Sequence, residues 1–312
     1  MNIIGPDELV FGVEDLDSCT RYLLDYGLTR TEGPSGGARF EALDATAVTL
    51  RAASDATLPP PTSAKSQLRE TIYGVGDEAS LVALASELGK DREVVRGEDG
   101  SIACLDDMGF GLRFRLTRRR PYTAEPDLTN APGAPPQRPL NQLGVRPGMV
   151  VVPRTLSHIV LFVPDATRAE KFYTRIGFRT TDRFTGVGPF MRPAGSQDHH
   201  TLFMIQTPPF LKGLEHFTFH VGSVTEMMLA GARFEAQGHE TFWGPGRHVL
   251  GSNYFHYVRD PWGSYAEYSS DIDYIPVDCE WEAADHPPED SFYVWGPTPP
   301  PDFAINHEAA AG

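Results

Sequence analysis

Tyr254-Phe-His-Tyr-Val258, Asp260-Pro-Trp-Gly263 and Ser264-Tyr-Ala-Glu-Tyr268 follow one another almost without a break, and their reading decides the fold. The flanking runs are short, aromatic and β-prone, and the Pro and Gly between them belong in a tight turn, so the stretch is predicted to be a hairpin. Side chains alternate across a strand, which puts Phe255 with Tyr257 on one face and Tyr265 with Glu267 on one face. A carboxylate turned inward among aromatic rings needs a cation or a metal as partner. Just upstream, Trp243-Gly-Pro-Gly-Arg-His248 is too polar for a plain core strand and too aromatic for a plain loop. Together these residues have the composition of a site wall.

Working outward, the same plan recurs. Asp260-Pro-Trp-Gly263 lies 154 residues after Asp106-Asp-Met-Gly109, and Ile176-Gly-Phe-Arg179 lies 150 residues after Tyr26-Gly-Leu-Thr29. The apolar run Leu214–Val221 with a helix at 224–236 matches the run from Gln67 to Leu88, with its helix at 78–88, at an offset of 146. Four copies of a strand-helix-strands unit, each of roughly 50 to 60 residues, account for this pattern. Asp17 or Ser18 is placed to cap the first helix and Gly27 to end it; Asp165 is placed to cap the third, which runs through Tyr173. Phe190 and Met191 fall in a loop before His199. From Arg118 to Pro153 prolines and arginines cluster and no period persists, which marks a linker. The chain divides into a unit at 1–140, a unit at 141–272, and an extension at 273–312. Trp281, Phe292, Tyr293, Trp295 and Phe303 make that extension a cover over the second unit or a neighbouring subunit.

Composition narrows the function. The 312 residues carry a formal net charge of −15, which argues against nucleic-acid and anionic-membrane partners. The chain shows no signal-like leader and no long apolar run, and Cys19, Cys104 and Cys279 are scattered, so a cytoplasmic protein with reduced thiols is expected. All ten histidines follow Ser157, so chemistry that needs imidazole belongs to the second half.

His158 and His216 open the two units of that half, and Glu267 sits in its last strand. If paired units curl their sheets toward each other, all three point into one cavity. Two imidazoles and a carboxylate leave adjacent positions open on a six-coordinate ion, which suits non-haem Fe(II), with Mn(II) an alternative. Leu156-Ser-His158, Asp198-His-His-Thr201, Leu214-Glu-His216-Phe, Gly244-Pro-Gly-Arg-His248, Tyr257 and Asp260-Pro-Trp-Gly-Ser-Tyr-Ala-Glu267-Tyr carry a resemblance. The second half resembles the catalytic module of the type I extradiol ring-cleavage dioxygenases, of the vicinal-oxygen-chelate superfamily, and the first half resembles their non-catalytic module. The resemblance implies an α+β fold of two domains, each a pair of βαβββ modules curled into an open barrel. It further implies that His158, His216 and Glu267 bind Fe(II) and that His200, His248 and Tyr257 line the substrate side. The substrates implied are a substituted catechol or trihydroxylated aromatic and O2, in a homo-oligomer. His200 would be the acid-base residue, and the product a ring-opened semialdehyde acid.

Alternatives stand beside these assignments. His220 shares a face with His216 and competes as a ligand, and His199 competes with His200. His256 is placed on the outer face, and His239, His286 and His307 at the surface. Arg192 and Arg247 are candidates to meet a carboxylated substrate. By the offsets, His158, His216 and Glu267 correspond to Glu8, Glu70 and Arg113, which predicts a first-half pseudo-site closed by charge pairing among those three. A glyoxalase-type lyase or isomerase would add a fourth protein ligand, and a metal-free aromatic-binding module would need no such triplet.

Overall fold

Each repeat begins with a strand that hands over to a capped helix. In a computed structural model describing residues 1–62, 67–124, 126–146 and 148–305, the first unit is β1 (Ile3–Val13), α1 (Leu16–Tyr26), β2 (Thr29–Thr31), β3 (Ala38–Glu41) and β4 (Ala47–Ala52). The second is β5 (Gln67–Val75), α2 (Glu78–Leu88), β6 (Val95–Arg96), β7 (Ile102–Leu105) and β8 (Gly111–Leu116). The third is β9 (Thr155–Val163), α3 (Ala166–Arg175), β10 (Phe178–Phe184), β11 (Gly188–Pro193) and β12 (Leu202–Gln206). The fourth is β13 (Gly213–His220), α4 (Val224–Ala236), β14 (Thr241–His248), β15 (Tyr254–Arg259) and β16 (Tyr265–Ser270). Asp15, Asp77, Asp165 and Ser223 cap the four helices by accepting the N–H three residues on. The first cap is therefore Asp15 and not Asp17 or Ser18, because the helix already begins at Leu16 and a capping side chain must precede it. Phe190 and Met191 lie in strand β11, paired with β10, and not in a loop.

The first two units form an eight-stranded sheet ordered β2-β3-β4-β1-β5-β8-β7-β6. The last two, with β17 (Asp285–His286) and β18 (Tyr293–Trp295) flanking the one-turn helix α5 (Pro288–Ser291), form a ten-stranded sheet ordered β17-β10-β11-β12-β9-β13-β16-β15-β14-β18. The extension thus adds a strand to each edge of the second sheet. In both sheets the middle of the order is the same: the first strands of the two units pair antiparallel, and the last strand lies parallel to the second of them.

One apolar core runs through both halves. The Phe11 ring lies 4.8 Å from Trp262 and 5.8 Å from Phe217. Tyr26, at the end of α1, stacks on Tyr268 at 4.1 Å, and its hydroxyl donates to the backbone oxygen of Glu267 at 2.6 Å. Tyr268 answers by donating to the Tyr26 oxygen at 2.9 Å. The strand that carries Glu267 is therefore pinned by the other half of the chain. Tyr26→Phe removes one of these buried bonds, so it is expected to cost about 1 kcal/mol in chemical denaturation. No helix among the described residues is long and apolar enough to cross a membrane.

Candidate metal centre

His158, His216 and Glu267 stand on β9, β13 and β16, three neighbouring strands. Their ligand atoms lie within 4.8 Å of one another. His158 Nε2 is 3.2 Å and His216 Nε2 3.4 Å from Glu267 Oε2, and the two nitrogens are 3.4 Å apart. Thr218, facing His158 on β9 and Glu267 on β16, donates to Glu267 Oε2 at 2.5 Å. Asn253 donates to Glu267 Oε1 at 3.2 Å. Glu267 is fully buried, and its ion-pair partners among the described residues are the two imidazoles. A buried carboxylate facing two ring nitrogens, with no Lys or Arg of the described residues against it, fits a divalent cation, and the donor set of two nitrogens and an oxygen suits Fe(II) or Mn(II).

Protonation follows from these contacts. Burial raises the Glu267 carboxyl, but bonds from His158 and His216 outweigh it and hold the group well below the usual range. Burial takes His158 down to about 4 against the pull of Glu267, so it is neutral at pH 7. His216 is pushed up to about 9: burial opposes its charge, but the carboxylates of Glu215 and Glu267 outweigh it. An ion must therefore displace a proton from His216 below about pH 9 and from none of these three above it. Metal affinity is expected to rise about tenfold per pH unit between pH 6 and 8 and to level off above 9. Calorimetry in buffers of different ionisation enthalpy would show about one proton released per ion.

Glu215 had no role in the sequence reading, although it stands in Leu214-Glu-His216. Strand alternation turns it away from His216. A register shift between Leu214 and His216 brings both onto the cavity, where Glu215 pairs with His216 Nδ1. Ser157 Oγ lies 2.9 Å from His158 Nδ1, so both imidazoles are held from behind.

The remaining predicted side chains gather around the triplet. His200 packs with its ring 4.5 Å from that of His158 and 5.0 Å from Phe190. Tyr257 donates to His248 Nε2 at 3.1 Å, and His248 Nδ1 donates to the Phe292 oxygen at 2.9 Å, which sets the His248 tautomer. The cavity they share is completed by Val160, Phe184, Phe203, Leu250, Phe292 and Phe303, the last two from the extension. Phe190 lines it, whereas Met191, its neighbour in β11, faces the core.

Other residues lie elsewhere. His199 is turned to Asp182, and His220 sits 3.4 Å from Asp198 and outside the triplet. His256 lies on the face of the sheet away from the cavity and is buried there against Gly231 of α4. His239 pairs with Asp25 and stacks on Phe234, and His286 pairs with Asp182. His307 lies outside the described residues. Arg192 donates to the Ser196 and Cys279 oxygens, and Arg247 to Tyr254, Asp271 and the Ser252 oxygen; neither lines the cavity.

The first half carries the counterpart in register: Ile72 faces Glu8 and Arg113 as Thr218 faces His158 and Glu267. Arg113 bonds Glu70 at 2.9 Å, as expected. Glu8 is closed differently, by Arg115 at 2.8 Å, Arg39 at 3.3 Å and Thr49 at 2.6 Å, because Arg115 shares a strand face with Arg113 and reaches Glu8 directly.

Residues 155–268 match the family described as the Glyoxalase/Bleomycin resistance protein/Dioxygenase superfamily. Over 160 residues the chain is 45% identical to metapyrocatechase 2 of Cupriavidus necator, covering 51% of this chain and 49% of that one. The chain thus spans about half the length of that relative. A second match, 28% identical over 231 residues, covers 72% of this chain and 74% of biphenyl-2,3-diol 1,2-dioxygenase of Paraburkholderia xenovorans. The Mn(II)-bound glyoxalase from Novosphingobium aromaticivorans superposes with a TM-score of 0.73 at 22% identity, over 97% of this chain and 94% of that one, a likeness of fold.

Proposed function

We propose, for a chain whose residues 155–268 belong to the Glyoxalase/Bleomycin resistance protein/Dioxygenase superfamily, that it is an extradiol dioxygenase, using Fe(II) to open the ring of a catechol with an apolar substituent. The observation that carries this reading is the His158, His216 and Glu267 triplet, two of whose members line a cavity with His200, His248 and Tyr257 as polar side chains and Val160, Phe184, Phe190, Phe203, Leu250, Phe292 and Phe303 among its apolar walls. Relatives with matching sequence are named for catechol and biphenyl-diol cleavage, which supports the same reaction class. The ligand-capable group among the described residues has three members, where a glyoxalase-type lyase calls for a fourth.

Held by His158, His216 and Glu267, a divalent ion would supply Lewis acidity toward the hydroxyls of a diol and a means of activating O2. The chain does the rest. His200, its basicity pushed well down by burial and by the neighbouring imidazoles, is neutral and can take and return a proton at the cavity. The Tyr257 phenol is held protonated by burial and by the Glu267 and Glu215 carboxylates, so it serves as a donor. His248, tied to the Phe292 oxygen, keeps Tyr257 in place and links it to the extension. Phe292 and Phe303 exclude water from above.

Among the described residues that line the cavity there is no Lys or Arg, so a ring carboxylate would be buried without a cationic side chain as partner. Oxygen uptake by anaerobically Fe(II)-loaded protein, followed with product absorbance over a panel of diols, tests the reading. Alkyl- or aryl-substituted catechols are expected to exceed carboxylated ones by at least about 100-fold in kcat/KM, a cost of several kcal/mol for an unpaired buried charge. No uptake on any diol by metal-loaded protein would overturn the assignment.

A further inference from the structure

Behind His200 runs a chain of hydrogen bonds that the chemistry above leaves unused. His200 Nδ1 lies 3.1 Å from His199 Nδ1, and His199 Nε2 lies 2.8 Å from Asp182 Oδ2. Both His199 and Asp182 are buried. Asp182 also accepts from the Trp281 indole N–H at 3.1 Å, the Ala284 backbone N–H at 3.0 Å and His286 Nε2 at 3.0 Å. Burial raises its carboxyl, but the bonds from His199, Ala284 and His286 outweigh that and keep it ionised. A carboxylate only accepts, so His199 Nε2 donates to it. If the His199 ring carries that one proton, its Nδ1 is an acceptor, and the proton between the two imidazoles then belongs to His200 Nδ1. That leaves His200 Nε2 with a lone pair, the nitrogen available to the cavity His200 lines.

We propose that His199 and Asp182 form a proton relay behind His200, anchored by residues 281–286 of the extension. The proposal rests on the reading of His200 as the residue that exchanges a proton with substrate. When a group in the cavity gives its proton to His200 Nε2, the proton on His200 Nδ1 passes to His199 Nδ1. The N–H bond to Nε2 forms as the N–H bond to Nδ1 breaks; no electron is transferred, and the reverse motion returns the proton. His200 stays neutral, and the positive charge rests on His199 beside the Asp182 carboxylate.

The physical reason for such an arrangement is where charge can be held. An imidazolium at His200 would sit 4.5 Å, ring to ring, from His158 and close to any bound cation. At His199 it meets a carboxylate at 2.8 Å that four donors hold in place. His199 and Asp182 act through His200 and are positioning residues. Three of the bonds to Asp182 come from the extension, so its seating completes the relay as well as covering the cavity.

Two measurements test this. In metal-free wild type labelled with ¹⁵N-histidine, long-range ¹H–¹⁵N correlations are expected to show His200 protonated at Nδ1 and bare at Nε2; in His199→Phe that preference is lost. In Fe(II)-loaded protein, His199→Phe and Asp182→Asn are expected to lower kcat about 10²-fold while KM and metal content stay near wild type, the size of a lost positioned proton transfer. His200 protonated at Nε2 in metal-free wild type would overturn the relay, even if neither variant folds. So would His199→Phe at wild-type kcat. Wild type inert toward every diol, with the Nδ1 tautomer present, would overturn the dioxygenase reading on which the relay depends while leaving the hydrogen-bonded chain in place.

Discussion

Glu267→Gln is expected to abolish ring cleavage and to weaken divalent-metal binding by well over ~100-fold, more than the 10–100-fold typical of losing a group behind a ligand. The change keeps shape and removes charge. Glu267 is fully buried, faces two imidazole nitrogens, and supplies the only negative charge of the triplet. An amide there cannot offset a cation's charge, and the carboxylate that remains, Glu215, is engaged with His216 Nδ1 behind the ligand, so the cation would leave water without a carboxylate in the triplet. Mn(II) or Fe(II) titration by calorimetry reads the affinity. Wild type should also gain thermal stability on adding metal, because an ion that binds only the folded state stabilises it, and the variant should not. Retained affinity in a folded Glu267→Gln protein would show that the ion sits elsewhere.

The second large effect is kinetic. His200→Phe is expected to lower kcat by about 10²- to 10⁴-fold, the range for losing a positioned proton-transfer group, with metal content unchanged. A phenyl ring suits the space beside Phe190, which already packs 5.0 Å from the His200 ring. The substitution leaves His199 Nδ1 without its partner, so a stability loss of about 1 kcal/mol should accompany the rate loss. Stopped-flow single turnover separates the two variants: His200→Phe binds metal and diol and stalls, whereas Glu267→Gln binds no metal. A rate within a few-fold of wild type would pass the acid-base role to another group.

Much of this was legible before any coordinates. The helices expected at 78–88 and 224–236, matched to each other by an offset of 146, both form. The offsets between halves placed Glu8, Glu70 and Arg113 opposite His158, His216 and Glu267, and the strand registers agree residue for residue. That agreement is physical: a repeated unit has to pair its strands in the same register to bury the same face.

What the sequence by itself determined was which elements form and which strand positions share a cavity, because alternation and capping act over a few residues. Only the tertiary structure decided the partners of those positions. Glu215 joins the cavity through a register shift that no alternation rule contains. Glu8 is neutralised by Arg115 and Arg39, with Arg113 left to Glu70, a choice settled by reach across a folded sheet. His256 is buried only because α4 lies over it. Asp182 meets His199, 17 residues on, and Trp281 and His286, about a hundred residues on, because the extension returns to the edge of the second sheet. Such contacts depend on how whole elements pack, and the free energy that selects them is that of burying charge with a partner, which no local stretch of sequence can specify.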